Sequence, residues 1–526
     1  MKISNNIFSF LVITALAFGN VSCNKLLDVP PQGKLQFEEF WLSKDQCVAA
    51  IAGIYSNLGS SDNNFKIGGN LSATAISPVE SYIFWGEVRG ELLASNAGKM
   101  PSDQIAKENV DNLSAAPGDV TTKYTAFYKI INQANQAIKY IPTVRAKDPA
   151  FTAEDEANLM GEAYFLRGYA YFWLLRTFKE VPLVLDPSET DSQDYNVPKS
   201  PADTISARIV KDLELAKINL PAWYSNQQYS HCRATKTTAM TVLADVYLTI
   251  AAMNKNSTAN NALYDKVIAN CDGVINSGKY TLIPGMSFGS IFTAGNTDES
   301  IFETYSNYQV NNQVNNLYSW FTSIGYFVVA GPADDLFNAL ILKDYRGSAV
   351  PTGPYPPGAP VVGYAAASRF ISKYSSTTKD ARWIYYRYPE VLLMKAEALC
   401  HRYVDDAAQL KLACDLVNAI RFRATGVNTY PKATATTSYE MDNLILDERG
   451  REFLGEGKRW FELVRFGSRD NFANKNLLID RVVNGFSGVI QLVISPRVSN
   501  PESWYLPLNA DALSANSNLV QNPYYQ

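Results

Sequence analysis

Apolar and small side chains recur at intervals of three and four residues along much of the chain, which is the spacing of one face of an α-helix. The clearest run lies in 155–178, where Leu159, Ala163, Leu166 and Ala170 share one helical face. The same spacing predicts further helices in 37–58, 123–141, 201–220, 235–252, 261–277, 389–403 and 408–420. The chain is therefore expected to be mostly α-helical.

Two of these predicted helices end in the same way. Ala137 and Ala216 each stand five residues before a proline, Pro142 or Pro221. A small residue that allows close helix approach, followed by a proline that ends the unit, is typical of the second helix of a tetratricopeptide-type repeat. The pattern predicts a scaffold of stacked tetratricopeptide-like helical hairpins, with a generic α-helical domain as the alternative.

Three long stretches between the hairpins have a different composition. Residues 59–118 are rich in Ser, Asn and Gly, and residues 284–332 are rich in Asn, Gln and Tyr. Proline and glycine dominate 350–363, which is predicted to be irregular. Insertions of this length either form a functional surface or cover the scaffold.

The N-terminus has the pattern of an export signal. An apolar segment, 7–18, is too short to span a bilayer and leads through small residues to Cys23. This arrangement predicts a signal peptide over 1–22 and lipidation of Cys23. Acyl chains on Cys23 would hold the chain on a membrane, since each buried CH2 contributes roughly 0.8 kcal/mol. Cleavage without lipidation, which would give a soluble secreted protein, is the alternative.

Composition limits the classes of partner and chemistry. The net charge is −4 and no basic block occurs, so nucleic acid is not an expected partner. Five of the six cysteines follow Cys23 without a CxxC pair, which predicts buried single thiols, with Cys400 and Cys414 as the pair to test for a bridge. With two histidines and no HExxH or GxSxG motif, neither a metal site nor a catalytic triad nor a cofactor is predicted.

The densest charge cluster lies in 448–459 and is interpreted as structural. Glu448–Arg451 and Glu456–Arg459 have the spacing of ion pairs along one helical face. A glycosidase would need two facing carboxylates, and no pair stands out among the acidic residues. No catalytic residue is therefore assigned.

The insertions supply aromatic and amide side chains of the kind that bind sugars. An aromatic ring covers the apolar face of a sugar, and an amide both donates to and accepts from its hydroxyls. Trp85 and Trp320 are the side chains most expected to be exposed, while Arg89 and Glu91 are either ligand contacts or an internal ion pair. The full set of predicted ligand-binding residues is Trp85, Trp320, Tyr82, Phe84, Tyr305, Tyr308, Tyr326, Asn70 and Asn96.

Several ordered segments of the mature chain resemble the SusD/RagB-like outer-membrane lipoproteins of Bacteroidota. They are CNKLLDVPP at 23–31, VINSGKYTL at 274–282, YPEVLLMKAEAL at 388–399, VNAIRFRA at 417–424, DERGREFLGEGKRWFEL at 447–463, YLPL at 505–508 and QNPY at 521–524. The resemblance implies one SusD-like domain over 23–526, with an N-terminal part of about 23–270 and a C-terminal RagB/SusD part of about 271–526. It also implies a fold with four tetratricopeptide-like units.

The same resemblance implies a function. A member of this family would be displayed on the outside of the outer membrane and would form a lid on a TonB-dependent, SusC-like transporter. The favoured hypothesis is a non-catalytic lipoprotein that captures oligosaccharides for that transporter. Peptide capture by a RagB-like protein, a surface hydrolase and a scaffold that binds only another protein are the alternatives. The identity of the ligand and a bound calcium ion stay open.

Overall fold

Helices make up most of the computed structural model, which describes residues 40–59, 76–95, 113–190, 192–255, 257–305, 321, 327–338, 344–347, 362–365, 368–371, 373–374, 381–426 and 431–526. The helices of the first half are α1 (Lys44–Gly59), α2 (Pro78–Gly86), α3 (Thr125–Val144), α4 (Ala153–Phe178), α5 (Ala202–Asn219), α6 (Gln227–Cys232), α7 (Lys236–Met253) and α8 (Ser257–Ile275). Those of the second half are α9 (Ser290–Thr293), α10 (Gly331–Asn338), α11 (Tyr388–Arg402), α12 (Ala407–Thr425), α13 (Ser438–Phe453), α14 (Arg459–Phe472), α15 (Asn476–Asn484), α16 (Gly488–Val498) and α17 (Ala510–Ala515).

The long helices stack in chain order. Helix α3 packs on α4, α4 on α5, α5 on α7 and α7 on α8. The array continues as α8 packs on α11 and α11 on α12, while α1 closes the other end against α3 and α4. The predicted helical fold with a tetratricopeptide-like arrangement is therefore confirmed, and every segment predicted as a helix contains one.

Close approach and a buried ion pair hold α4 against α5. A Cβ placed on Gly168 would lie 3.2 Å from Leu213 Cγ, so the two helices meet where only a small residue fits. One residue earlier, Arg167 donates through Nε and Nη2 to Asp212 at 2.8 and 2.9 Å. Helix α4 begins at a capping box formed by Thr152 and Asp155.

Short strands tie the loops to this scaffold. They are β1 (Leu93–Ser95), β2 (Val181–Pro182), β3 (Lys199–Ser200), β4 (Ser300–Glu303), β5 (Phe327–Val329), β6 (Val362–Ala365), β7 (Ser368–Ile371) and β8 (Ile384–Arg387). The pairs are antiparallel: β1 with β5, β2 with β3, β4 with β8 and β6 with β7. The β4–β8 pair is irregular in register and brings 300–305 beside α1 and α6.

The charge cluster of 448–459 lies inside the protein, as its structural interpretation requires. The predicted Glu448–Arg451 pair is present at 2.9 Å. The predicted Glu456–Arg459 pair is wrong, because Glu456 contacts Arg387 instead. The reason is that the helix stops at Phe453, and the glycines that follow have φ of 77° and 71°, so the cluster does not share one helical face.

Two further predictions concern thiols and membrane spans. All five cysteines that follow Cys23 are free, so the interpretation as single thiols is confirmed and no bridge joins Cys400 to Cys414. Four of them are buried as predicted, whereas Cys232 is half-buried. Among the helices of the described ranges, none combines the length and the apolar character that crossing a bilayer requires.

Candidate functional site: an aromatic cleft at the roots of two insertions

Three of the aromatic residues predicted to bind ligand belong to the core. Tyr82, Phe84 and Trp85 lie on α2 and are fully buried, so the expectation that Trp85 is an exposed platform is wrong. The Trp85 indole stacks on Phe127 with ring centroids 5.0 Å apart, and its Nε1 donates to the carbonyl of Thr121 at 2.7 Å. These rings stabilise the packing of α2 and have no surface to offer a ligand.

The remaining predicted residues divide into two groups. Asn70, Asn96, Tyr308, Trp320 and Tyr326 lie outside the described residues, so their part in binding stays a prediction. Tyr305 is described and is 39% exposed, at the end of the segment that follows β4. Of the predicted set, Tyr305 is therefore the residue that the structure places at an accessible surface.

Arg89 and Glu91 are buried and are not paired with each other. Arg89 donates to the carbonyls of Ser503 and Trp504, each at 2.7 Å. Glu91 accepts from the guanidinium of Arg459. Their roles are internal, although the predicted partner for each was wrong.

Tyr305 lines a cleft of about 320 Å³ between α1, α6 and the β4–β8 pair. Its walls are mainly apolar and aromatic, with a few polar groups, which is the usual make-up of a small-molecule site. The lining residues are Val48, Ala52, Tyr55, Ser56, Leu58, Gly59, Tyr229, Cys232, Arg233, Phe302, Glu303, Thr304, Tyr305 and Tyr385.

The cleft adjoins two of the polar insertions, since Gly59 is the first residue of 59–118 and Tyr305 lies within 284–332. Gly59 is the last described residue before 60–75, and Tyr305 is the last before 306–320. A Cβ placed on Gly59 would lie 3.2 Å from Thr304 Cγ2, so the two points of departure are adjacent. Predicted ligand residues Asn70, Tyr308 and Trp320 therefore belong to segments that both start at this cleft.

Two exposed tyrosines in the cleft are held by arginines. The ring of Tyr305 lies 5.3 Å from Arg382 Cζ, and the ring of Tyr229, which is 46% exposed, lies 5.7 Å from Arg233 Cζ. Contacts of a guanidinium with a ring at this distance are attractive. The rings are thus positioned before any ligand arrives, which lowers the entropy cost of binding.

Backbone and hydroxyl hydrogen bonds fix the frame of the cleft. Tyr55 accepts from the backbone N–H of Ala234 at 2.9 Å, which joins α1 to the residues after α6. Tyr385 donates to the carbonyl of Leu58 at 3.1 Å, which joins β8 to the end of α1. The cleft is consequently bounded by three elements that are cross-linked to one another.

A thiol and a carboxyl are among the titratable groups that line the cleft. Burial raises the pKa of the Cys232 thiol to about 12, so the thiol is protonated at neutral pH and is a poor nucleophile. Burial also raises the pKa of Glu303, while Arg382 opposes that rise. Glu303 accepts from the backbone N–H of Asn296 at 2.8 Å.

One group of residues has the spacing of a metal site. Ligand atoms of Cys400, His401 and Asp442 all lie within 4.8 Å of one another. Arg469 donates to Asp442 Oδ1 at 3.0 Å and also contacts His401 Nε2, so a guanidinium already neutralises the carboxylate. A second cation there would be repelled, and we assign no metal to this group.

Tyr229 lines the cleft but was not among the predicted ligand-binding residues, although its neighbours in sequence are also rich in aromatic and amide side chains. Tyr229 lies in the connection 221–234, which contains Trp223, Tyr224 and several Asn and Gln residues. This composition matches that of the insertions, but the stretch is short and lies between two predicted helices. Tyr55 carries no comparable signal, because its neighbours in sequence belong to the predicted helix over 37–58.

Comparisons with known proteins agree over most of the chain. A family model described as "SusD family" matches residues 360–525, and one described as "Starch-binding associating with outer membrane" matches residues 76–248. SusD-like protein P38 of Formosa agariphila is 25% identical, with 92% of this chain and 95% of that protein covered. SusD-like protein P2 of the same organism is 26% identical, with 95% and 96% covered.

Solved structures show the same fold. A SusD superfamily protein from Bacteroides thetaiotaomicron has a TM-score of 0.69 at 19% identity, with 92% of this chain and 99% of that chain covered. Surface glycan-binding protein A from Bacteroides uniformis has a TM-score of 0.67 at 21% identity, with 92% and 100% covered. At these identities the likeness establishes a shared helical architecture.

Proposed function

Because the chain belongs to the SusD/RagB-like family, we propose that it is a non-catalytic cell-surface protein that captures oligosaccharides in the aromatic cleft. The observation that carries this proposal is the pair of exposed rings, Tyr229 and Tyr305, in a cleft that adjoins two insertions rich in Asn. A flat ring can cover the C–H face of a sugar while nearby polar groups bind its hydroxyls. The glycan-binding neighbour from Bacteroides uniformis supports the same class of ligand.

The chemistry of the cleft supports binding without catalysis. A glycosidase needs two facing carboxyl groups. Among the cleft residues in the described part of the chain, Glu303 is the one carboxylate. The protonated Cys232 thiol does not supply an alternative nucleophile.

Capture at the surface requires a location and a recipient. We propose that lipidated Cys23 anchors the protein to the outer membrane, facing outward. The recipient would be a TonB-dependent, SusC-like transporter, and the matched description "associating with outer membrane" supports the membrane part of this assignment. Affinity purification from detergent-solubilised native membranes should recover a transporter of that class. Recovery of the protein alone would contradict the partnership.

Aromatic substitution in the cleft tests the binding site. Burying about 100 Å² of apolar surface on one ring contributes about 2.5 kcal/mol before costs. Tyr305→Ala and Tyr229→Ala should each weaken oligosaccharide binding at least tenfold, or about 1.4 kcal/mol, by isothermal titration. Trp320→Ala, at a predicted residue outside the described ranges, should do the same.

Tyr439→Ala is the matched control. Tyr439 is an exposed tyrosine on α13 that does not line the cleft, so its removal should leave affinity unchanged. Unaltered binding by both cleft variants would refute the site. Product release from the glycan panel would refute the non-catalytic assignment, and binding of peptides in place of glycans would favour the RagB-like alternative.

A further inference from the structure

A carboxylate oxygen in the cleft has no hydrogen-bond partner. Glu303 lines the cleft, is 1% exposed and ends β4. Its Oε1 accepts from the backbone N–H of Asn296 at 2.8 Å and lies 3.5 Å from Arg382 Nη1. Its Oε2 makes no hydrogen bond among the described residues, although the Ser300 hydroxyl lies close enough to oppose the rise in the pKa of Glu303 that burial causes. A buried acceptor without a donor is destabilising, and a ligand that brings a donor would relieve that cost.

The cationic groups near the cleft are already engaged. Arg233 donates through Nε to Glu162 Oε2 at 2.9 Å, and its second amino group contacts the other carboxylate oxygen. Arg382 faces Glu303, donates to the carbonyl of Thr304 at 3.2 Å and contacts the ring of Tyr305. Two guanidinium groups are thus balanced by two carboxylates. Among the side chains that line the cleft, Glu303 Oε2 is the buried polar atom that makes no hydrogen bond.

Building on the proposed glycan-binding function, we propose that the cleft selects uncharged sugar segments over otherwise identical segments that carry carboxylates or sulfates. A ring hydroxyl can donate its proton to Glu303 Oε2. An anionic substituent has no proton to donate to Glu303 Oε2, and it would bring a like charge close to the ionised form of this carboxyl in a partly buried site. Glu303 is therefore a specificity-determining residue, and Tyr229 and Tyr305 supply the contact area.

Matched ligands test this selectivity on the unmodified protein. The probes are soluble starch, laminarin and galactomannan, each compared with its own product of selective C6 oxidation, which converts primary hydroxyls to carboxylates and leaves the linkage unchanged. For each neutral glycan that binds, the oxidised form should bind at least tenfold more weakly in isothermal titration at constant ionic strength. Salt must be fixed because screening weakens the repulsion.

Glu303→Gln tests whether Glu303 causes the selectivity. The amide has nearly the same shape, offers a donor and carries no charge. The preference for neutral over oxidised glycan should fall below threefold in this variant, with thermal unfolding used to confirm that the variant is folded. A variant that keeps the full preference would overturn the role of Glu303.

The outcomes separate this inference from the proposed function. If the unmodified protein binds oxidised glycan as tightly as neutral glycan, or more tightly, the selectivity is refuted while glycan capture stands. If it binds none of the probes in either form, glycan capture fails for these linkages and the inference fails with it. Because this comparison uses the unmodified protein, it does not depend on the folding of any variant.

Discussion

At the scale of single residues, the interior is unusual for its buried charge. Arg346 is fully buried and donates to Glu448 at 2.6 Å, to Glu452 at 2.7 Å and to Asp344 at 2.7 Å. The surrounding arginines hold the pKa of Glu448 and Glu452 well below the usual range, although burial alone would raise it. These carboxylates therefore stay ionised inside the protein.

Removing the central cation should be costly. Arg346→Met leaves three buried carboxylates without their shared partner, and breaking a buried ion pair by loss of one member typically costs about 3–5 kcal/mol. We expect a loss of that order in the free energy of unfolding, measured by chemical denaturation.

The matched control removes a cation that is also paired with a carboxylate, but at the surface. Lys411 is 76% exposed on its side chain and pairs with Asp415 across one turn of α12. Lys411→Met should change stability by at most about 0.5 kcal/mol, because solvent screens exposed pairs. Equal losses in the two variants would contradict the importance of burial.

Glu87 is a buried carboxyl whose pKa is raised, in contrast to those of Glu448 and Glu452, and it makes the stability of the protein depend on pH. Burial raises the pKa of Glu87 from 4.5 to about 7, despite backbone N–H donors from Gly455 and Lys458. The folded state therefore holds this proton more tightly than the unfolded state, so stability falls as pH rises from about 4.5 to about 7. The full effect of such a shift is up to about 3 kcal/mol.

Glu87→Gln should remove that part of the pH dependence. The free energy of unfolding is measured for both proteins at pH 5, 6, 7 and 8. Wild type should lose stability relative to the variant as the pH rises. Other titrating groups contribute equally to both proteins and cancel in the difference. Parallel pH profiles would show that Glu87 is not the group responsible.

At the scale of elements, the docking of α2 depends on two glycines. A Cβ placed on Gly86 would lie 1.9 Å from the carbonyl oxygen of Gly457, which itself has a φ of 71°. Gly86→Ala should therefore displace α2 from the loop before α14 and destabilise the protein by more than about 2 kcal/mol. The loss should appear as a lower midpoint of thermal unfolding.

Another helical glycine offers the contrasting case. A Cβ on Gly53 in α1 would meet nothing within 4 Å. Gly53→Ala should raise stability by about 0.5–1 kcal/mol, because alanine has less backbone entropy to lose in a helix. A loss of stability in Gly53→Ala would contradict the open space found around a Cβ at this position.

The same elements show what could be predicted from the sequence. Helices such as α4 and α7 were predictable because their apolar spacing persists over many residues. Helix α2 was missed as a core element because the insertion around it is polar. Its signals were local: Ser77 and Glu80 form a capping box, Pro78 occupies the first turn, and the residues that follow are almost entirely apolar.

The site was predictable only in part, for a related reason. Composition identified Tyr305 and the insertions, since aromatic and amide residues are concentrated there. Burial of Trp85 depends on contacts with Phe127 and Phe178, which lie more than one element away in sequence. The position of Glu303 in the cleft depends on the pairing of β4 with β8, two strands far apart in sequence, which no local pattern encodes.

At the scale of the whole molecule, membrane attachment is predicted to depend on one thiol. Cys23→Ser removes the atom that would be acylated, so the protein should move from the membrane fraction to the soluble fraction after cell lysis. Cys232→Ser, which removes a thiol of the folded domain, should leave the protein in the membrane fraction. Membrane retention of the Cys23 variant would refute the lipid anchor.

The adjacency of Gly59 and Thr304 has a consequence for how such a protein diversifies. The segments that follow Gly59 and Thr304 both leave the scaffold beside the cleft. Mutations, insertions or deletions in them do not change the buried ion pairs or the stacked hairpins. Under the proposed function, changes in these segments would alter which ligand is bound at little cost to folding. Related chains would be expected to vary most in length at these two points while keeping their helical framework.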